Sequence, residues 1–324
     1  MREIRYAQMI CETLDKEMER DQNIVMLGED IGFIGGNFKC TEGLLEKYGD
    51  LRVKDTPISE QGFVGMGVGM ALTGLRPVVE LMFSDFLLVA ADQVINQMAK
   101  IRYMSGGQCN VPMTIRCPIG AGRSSAAQHS QSMQAMVAQF PGMKVVVPST
   151  AQEAAGLLMT AIRDDDPVMF FEHKMEYNKT FQVEDVIEPI PFGKSRIARE
   201  GKDITIVATS SMVMKSEQAA QKLAQEGIDC EIIDLRTIVP LDKETIIESV
   251  KKTGKLIVAD EAHERCGIGA EIAAAVADDI FYYLDAPCGR VANPNVPLPF
   301  SPALEFPLIP SADKVYDKVK TYFR

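Results

Sequence analysis

Cysteine pairs at C-x-x-C spacing are absent from this chain, and its seven cysteines are an odd number scattered from Cys11 to Cys288. That excludes a zinc or disulfide framework and fits reduced, mostly buried thiols in a cytosol-like compartment. Clusters of basic residues interleaved with aromatics are missing too, and the formal net charge is −11. A phosphate-backbone binder is therefore excluded, and nucleic acid with it as a partner. No apolar run reaches membrane-spanning length, because the longest is broken by glycines and by Arg76, so no membrane partner is expected. The opening MREIRYAQMICETLDKEMER has no basic region followed by an apolar one, so no secretory signal is expected and the cytoplasm is the expected location. No Walker-type glycine loop occurs. Histidine appears only three times.

What is present describes a globular α/β protein. With 324 residues, 46% hydrophobic and 24% charged, the chain can bury two cores of ordinary size. Ile4, Ala7, Ile10, Leu14 and Met18 fall at helical spacing over 4–20. Short apolar runs read as strands at Ile24–Leu27, Val78–Phe83, Val111–Arg116, Lys144–Val147 and Val168–Phe171. Helices are predicted between them near 60–73, 86–104, 130–139 and 151–163, the last with a capping box of Thr150 and Glu153. Fully apolar strands alternating with helices predict a parallel sheet covered on both faces. Residues 176–202 are polar, contain proline and lack helical periodicity, which reads as a crossover linker. A second α/β series follows, with strands Ile204–Ala208, Ile228–Ile233 and Leu256–Ala259 and helices near 212–226, 241–251 and 267–280. Ser311–Phe323 reads as a closing helix with Ser311 as its N-cap. The expected fold is two doubly wound α/β domains, 1–176 and 203–324, joined by a linker over 177–202. GIGAEI (267–272) lacks the third glycine of a dinucleotide fingerprint and falls late in its domain, so a packing helix is expected there.

The densest information lies in DTPISEQGFVGMGVGMALTGLRPVVELMFSDF, residues 55–86. Ser59 is a good N-cap and Gly74 a good stop, so a helix should open on Glu60. Gly62, Gly65, Gly69 and Thr73 recur every three or four residues, leaving one face nearly bare for close approach of another backbone. A carboxylate in a first helical turn ordinarily does no more than complement the helix dipole.

The segment closely resembles the cofactor-binding region of the β subunits of thiamine-diphosphate-dependent 2-oxo acid dehydrogenases, a family that includes the pyruvate, branched-chain and acetoin types. The resemblance continues through DQVINQMAKIRYMSGG (92–107), AQHSQS (127–132), PGMKVVVPST (141–150), AIRDDDPVMFFEHK (161–174), DLRTIVPLD (234–242), VADEAHERCGIGAEIAA (258–274) and the tail NPNVPLPFSPALE. It covers nearly the whole chain and is closest in feel to acetoin dehydrogenase β chains. It implies an N-terminal transketolase-like pyrimidine-binding domain and a transketolase C-terminal-like domain.

By that resemblance Glu60 is the acid that hydrogen-bonds the cofactor's aminopyrimidine and drives it to the tautomer that deprotonates the thiazolium. Such an acid needs burial. Phe86 matches the aromatic packed on the pyrimidine, with Phe83 close by, and Met82 supplies a soft contact. His129, in AQHSQS, would assist acyl transfer to lipoamide, whereas His173 and His263 are expected to be structural. The turn Arg163-Asp164-Asp165-Asp166-Pro167 matches a potassium corner formed by Met113, Ala161, Ile162, Asp164 and Asp166, although Asp166 stands where relatives commonly have Asn. The G-D-G motif that anchors the diphosphate through magnesium is missing, since Gly49-Asp50 is followed by Leu51. An α subunit must then supply that half of the site, in an α2β2 assembly that serves a lipoyl-bearing dihydrolipoyl acyltransferase. Two other readings are a transketolase-type enzyme, which should carry G-D-G in the same chain, and a non-catalytic scaffold, in which Glu60 would be free to drift.

Overall fold

The computed structural model describes residues 1–323. They form two compact units, one of Met1–Ile119 with Met136–Phe192 and one of Gly120–Ala135 with the chain from Gly193 onward. Residues 120–135 thus lie inside the first expected domain in sequence but group with the second unit.

From its N-terminus the chain forms β1 (Arg2–Arg5), α1 (Tyr6–Arg20), β2 (Ile24–Gly28), α2 (Leu44–Tyr48), β3 (Val53–Asp55), α3 (Glu60–Leu72) and β4 (Arg76–Glu80). It continues as α4 (Ile101–Met104), β5 (Thr114–Ile119), α5 (Gln134–Ala138), β6 (Lys144–Val146), α6 (Ala151–Arg163), β7 (Val168–His173) and β8 (Thr180–Val183). In the first unit parallel strands pair in the order β6-β7-β5-β4-β2-β3. β2, β5 and β7 are buried along their whole length, as strands covered on both faces must be. The order reverses at β2, with β3 on one flank and β4 on the other. The carboxyl ends of β2 and β4 therefore bound a topological switch point, the place where open α/β sheets receive ligands. A Cβ on Gly28 would meet the Glu80 carbonyl oxygen at 2.8 Å, so glycine is what lets these two ends close up.

The second unit contains β9 (Arg196–Arg199), β10 (Ile204–Ala208), α7 (Met212–Ala224), β11 (Cys230–Asp234), β12 (Thr237–Val239), α8 (Lys243–Thr253), β13 (Leu256–His263), α9 (Ile268–Ile280), β14 (Gly289–Asn293), α10 (Pro302–Leu308) and α11 (Ala312–Lys320). Its sheet runs β14-β13-β10-β11-β9, parallel except for β9 at the edge. GIGAEI opens α9 as a packing helix, with Ile268, Gly269 and Ile272 buried. No helix among the described residues is long and apolar enough to cross a membrane.

Several local expectations change. Ser59 occupies the N-cap of α3, but its side chain makes no capping bond. Thr150 and Ser311 do cap, accepting from the amides of Glu153 and Lys314 at 3.2 Å each. On the glycine face of α3, Gly62 and Gly69 are exposed, while a Cβ on Gly65 would meet the Gln93 side chain at 2.9 Å. Gly67, off that face, is crowded too, since its Cβ would meet Met113 Cε at 2.8 Å. β4 ends at Glu80, not Phe83, and the helix expected over 86–104 is a 3-10 turn (Ser84–Leu88), a π-helical stretch (Asp92–Met98) and α4. The stretch read as a linker holds two strands, β8 paired with β1 and β9 paired with β11.

One buried cation ties three strands of the first unit together. Arg116 on β5 donates from Nε and Nη2 to Glu172 on β7, at 2.7 Å each, and from Nη1 to Glu80 on β4 at 2.6 Å. Tyr177 adds a hydroxyl bond to Glu172 at 2.6 Å. Burial opposes the Arg116 charge most strongly, yet Glu172 and Glu80 hold the guanidinium protonated. Burial also pushes the Glu80 carboxyl above its usual range against the pull of Arg116. Arg116→Met would leave two buried carboxylates without their partner, and we expect it to cost about 3–5 kcal/mol in urea unfolding followed on the first unit. Wild-type stability in that variant would contradict the account.

Candidate active site

Three segments converge on the β2/β4 switch point. Glu29 follows directly on β2, Glu60 opens α3, and Met82, Phe83 and Phe86 follow β4. Glu60 is only 6% exposed and Glu29 only 7%. Glu60 sits where the α3 amides favour negative charge. Glu29 has no such support, and its Oε1 is buried without a hydrogen-bond partner. Burial, then the charge of Glu60, then that of Asp30, push the Glu29 carboxyl above its ordinary range. The ionised form of Glu29 is thus disfavoured by its burial and by the charge of Glu60 nearby.

The aromatic side of the site rests on the ion network below it. Tyr177 stacks on Phe38 with centroids 4.5 Å apart, Phe38 meets Phe83 edge-on at 6.1 Å, and Phe83 meets Phe86 edge-on at 5.7 Å. Lys174 Nζ lies 5.4 Å from the Phe83 ring centroid. Phe86 and Met82 are half-buried, which leaves part of each open at the sheet end.

Glu29, Glu60, Met82 and Phe86 all belong to the first unit, whereas His129 belongs to the second. His129 ends a 3-10 turn, Ala127–His129, and is half-buried. His173 is buried at the end of β7, where its Nδ1 accepts from the Met175 amide at 3.2 Å. His263 ends β13.

The acidic corner after α6, where a potassium site is expected at Met113, Ala161, Ile162, Asp164 and Asp166, is surrounded by basic side chains. Lys144 Nζ binds both Asp164 oxygens at 2.7 and 2.6 Å and Asp166 at 3.3 Å, while Arg102 pairs with Asp166. Arg76 Nη1 donates to the carbonyls of Ile162 at 3.3 Å and Asp164 at 2.9 Å. The Met113 and Ala161 carbonyls accept from the amides of Val168 and Asp164. The protein's own cations thus neutralise the corner, and a bound ion would meet main-chain oxygens that already have donors. Among the described residues no group of three or more His, Cys, Asp or Glu could hold a metal.

Sequence reasoning missed Glu29, Phe38 and Arg116. Signals for two of them were present. Glu29-Asp30 follows the wholly apolar strand IVMLG, and acids at the carboxyl end of such a strand point at a crevice. Arg116 is a lone charge inside the buried strand TIRCPI, which demands buried partners.

Comparison with known proteins shows the family. A family model described as "Transketolase, pyrimidine binding domain" matches residues 2–180, and "Transketolase, C-terminal domain" matches 193–315. The chain is 47% identical over 318 residues to the "Pyruvate dehydrogenase E1 component subunit beta" of Rickettsia felis, with 98% of each covered. This chain belongs to the β-subunit family of the pyruvate and acetoin dehydrogenases. A second member, the "Acetoin:2,6-dichlorophenolindophenol oxidoreductase subunit beta" of Cupriavidus necator, is 48% identical over 316 residues, covering 94% of this chain and 93% of its own. A solved chain titled "Split gene transketolase, inactive beta4 tetramer" shares the fold at a TM-score of 0.80 and 24% identity, covering 98% of this chain and 97% of its own. Transketolase-like β subunits of oxidoreductase complexes are thus its relatives.

The coupling of the two acids has a pH signature. Glu29 binds its proton more tightly in the folded state than in the unfolded one, so its contribution to stability is lost as pH rises through that window. Glu29→Gln removes this loss. Its unfolding midpoint should exceed that of wild type at about pH 7, with the difference closing toward about pH 4. A difference independent of pH, or a lower midpoint at neutrality, would contradict the coupling.

Proposed function

We propose that this chain is the β subunit of a thiamine-diphosphate-dependent dehydrogenase that cleaves a 2-oxo acid or acetoin and passes the acyl group to a lipoyl arm. The observation that carries the reading is Glu60, a buried acid in the first turn of α3 whose charge reaches Glu29 at the end of β2, with the half-buried Phe86 following β4, the strand beside β2. These residues fit an aminopyrimidine, offering a carboxyl for a ring nitrogen and an aromatic face for the ring. When bound, thiamine diphosphate supplies the carbon nucleophile that attacks the substrate's oxo carbon.

Each residue then has a defined task. Glu60 would hydrogen-bond the ring nitrogen. Glu29, whose carboxyl is pushed above its ordinary range by burial and by the charge of Glu60, would hold a proton beside it. Phe86 and Met82 fix the plane of the ring. His129 provides the proton that acyl transfer to the lipoyl acceptor requires.

Support for a second chain comes from what surrounds these residues. Phe33 is 88% exposed and Ile58 is 85% exposed, and Met66, Leu72, Leu88 and Val89 also face outward from the segments that carry the acids and Phe86. Apolar residues gathered around a candidate site suit a surface that a partner covers. Gly49-Asp50 lies in an exposed turn and is not followed by a second glycine, so the diphosphate and magnesium fall to an α subunit. The assembly is then α2β2, working with a lipoyl-bearing acyltransferase. The named relatives divide between pyruvate and acetoin at 47% and 48% identity, so identity does not choose the substrate. The stretches AQHSQSM, MFFEHKMEY and LPFSPALE favour acetoin.

Glu60→Gln, assembled with the α chain, tests the reading. The variant should form the normal complex and lose on the order of 100-fold or more in dye-coupled turnover. Full turnover from a normally assembled variant would remove Glu60 from the chemistry.

A further inference from the structure

The loop that carries His129 is gripped by buried carboxylates of the second unit. Glu305, on α10, is fully buried, and its carboxylate accepts from main-chain amides. Its Oε1 accepts from the Gly122 amide at 2.8 Å, and its Oε2 accepts from the Ser124 amide at 2.9 Å and the Ser124 hydroxyl at 3.3 Å. One residue earlier, the Ala121 amide donates to Glu261 Oε1 at 2.8 Å, and Lys215 holds the other Glu261 oxygen at 2.9 Å. At the far end of the loop, Gln134 Nε2 donates to Asp260 Oδ1 at 3.0 Å. The Gly120 amide reaches back to the Gln131 carbonyl at 3.4 Å and closes the loop on itself.

The backbone between these anchors is strained. Ser124 has φ +54° and Ala126 has φ +63°, in the left-handed region that side chains disfavour. Such a conformation persists only where its surroundings over-determine it. A buried carboxylate is costly unless strong donors meet it, and here the donors are the amides of the strained turn itself. Three residues past Ala126, the turn ends on His129.

We infer that Glu305 is a positioning residue for His129. Its carboxylate fixes the Gly122 and Ser124 amides in the left-handed turn, and the turn sets the place of the imidazole. This rests on the reading of His129 as the group that serves acyl transfer.

The assembled complex can be assayed with two acceptors, a lipoyl domain and an artificial dye, alongside hydrogen exchange of the loop amides. Glu305→Gln keeps one acceptor oxygen and turns the other position into a donor facing an amide. It should lower lipoyl-dependent turnover roughly 10- to 100-fold and leave dye-coupled turnover within about twofold of wild type. The amides of Gly122 and Ser124 should lose protection. Glu305→Asp, which keeps the charge but shortens the reach, serves if the Gln variant does not assemble and should show the same split. His129→Ala should lower lipoyl-dependent turnover too, and in that assay the double variant should be no slower than His129→Ala. Equal slowing with both acceptors would make Glu305 a merely structural residue and overturn the inference. Normal lipoyl turnover in Glu305→Gln, with His129→Ala impaired, would overturn it alone. If His129→Ala has no effect on lipoyl turnover, the reading of His129 falls, and the inference with it.

Discussion

Arg116 is the residue on which the first unit depends. A guanidinium in the middle of a parallel sheet must find its compensating charge inside the protein, and it finds Glu80 on one neighbouring strand and Glu172 on the other. Buried ion networks of this kind add little net stability, but they are intolerant of losing a member. The consequence is geometric, because the ends of β4, β5 and β7 are held in one register. Tyr177 joins that network through its hydroxyl and passes its position on through Phe38 and Phe83 to Phe86. A buried ion and hydrogen-bond network thus sits beneath a half-buried aromatic face.

Against that floor stand the two acids. A single carboxylate at a helix N-terminus would stay ionised and ordinary. The presence of Glu29 changes the electrostatics, since two buried negative charges in one crevice disfavour each other. Oε1 of Glu29 is buried without a hydrogen-bond partner, and burial together with the charge of Glu60 raises its carboxyl above the ordinary range. The second unit uses its carboxylates differently. Glu261 and Glu305 accept from main-chain amides and act as clamps on a strained loop.

Much of the fold was legible because local signals agreed. The bounds of α6 follow from Thr150 as its cap and the Asp-Asp-Asp-Pro turn after it, and β10 is read to the residue from its apolar run. What escaped was set by distant partners. β8 exists only through its pairing with β1 across most of the first unit's sequence, and β9 only as an antiparallel edge on β11. The irregular 84–104 region carries helical spacing but breaks into three kinds of turn. Among the candidate functional residues, Glu60, Phe86, Met82 and His129 came from motif likeness. Glu29 needed the strand order, and the grouping of the His129 loop with the second unit needed carboxylates more than 100 residues away in sequence.

The central claim is that this chain holds the pyrimidine half of a thiamine site and lacks the phosphate half. The most direct test is dye reduction in the presence of thiamine diphosphate and magnesium, by this chain alone and by this chain assembled with its α subunit. Pyruvate, 2-oxobutyrate, branched-chain 2-oxo acids and acetoin form the substrate panel. Activity confined to the assembled mixture is the predicted result, and the preferred substrate then names the reaction. Turnover by the isolated chain would contradict the split site.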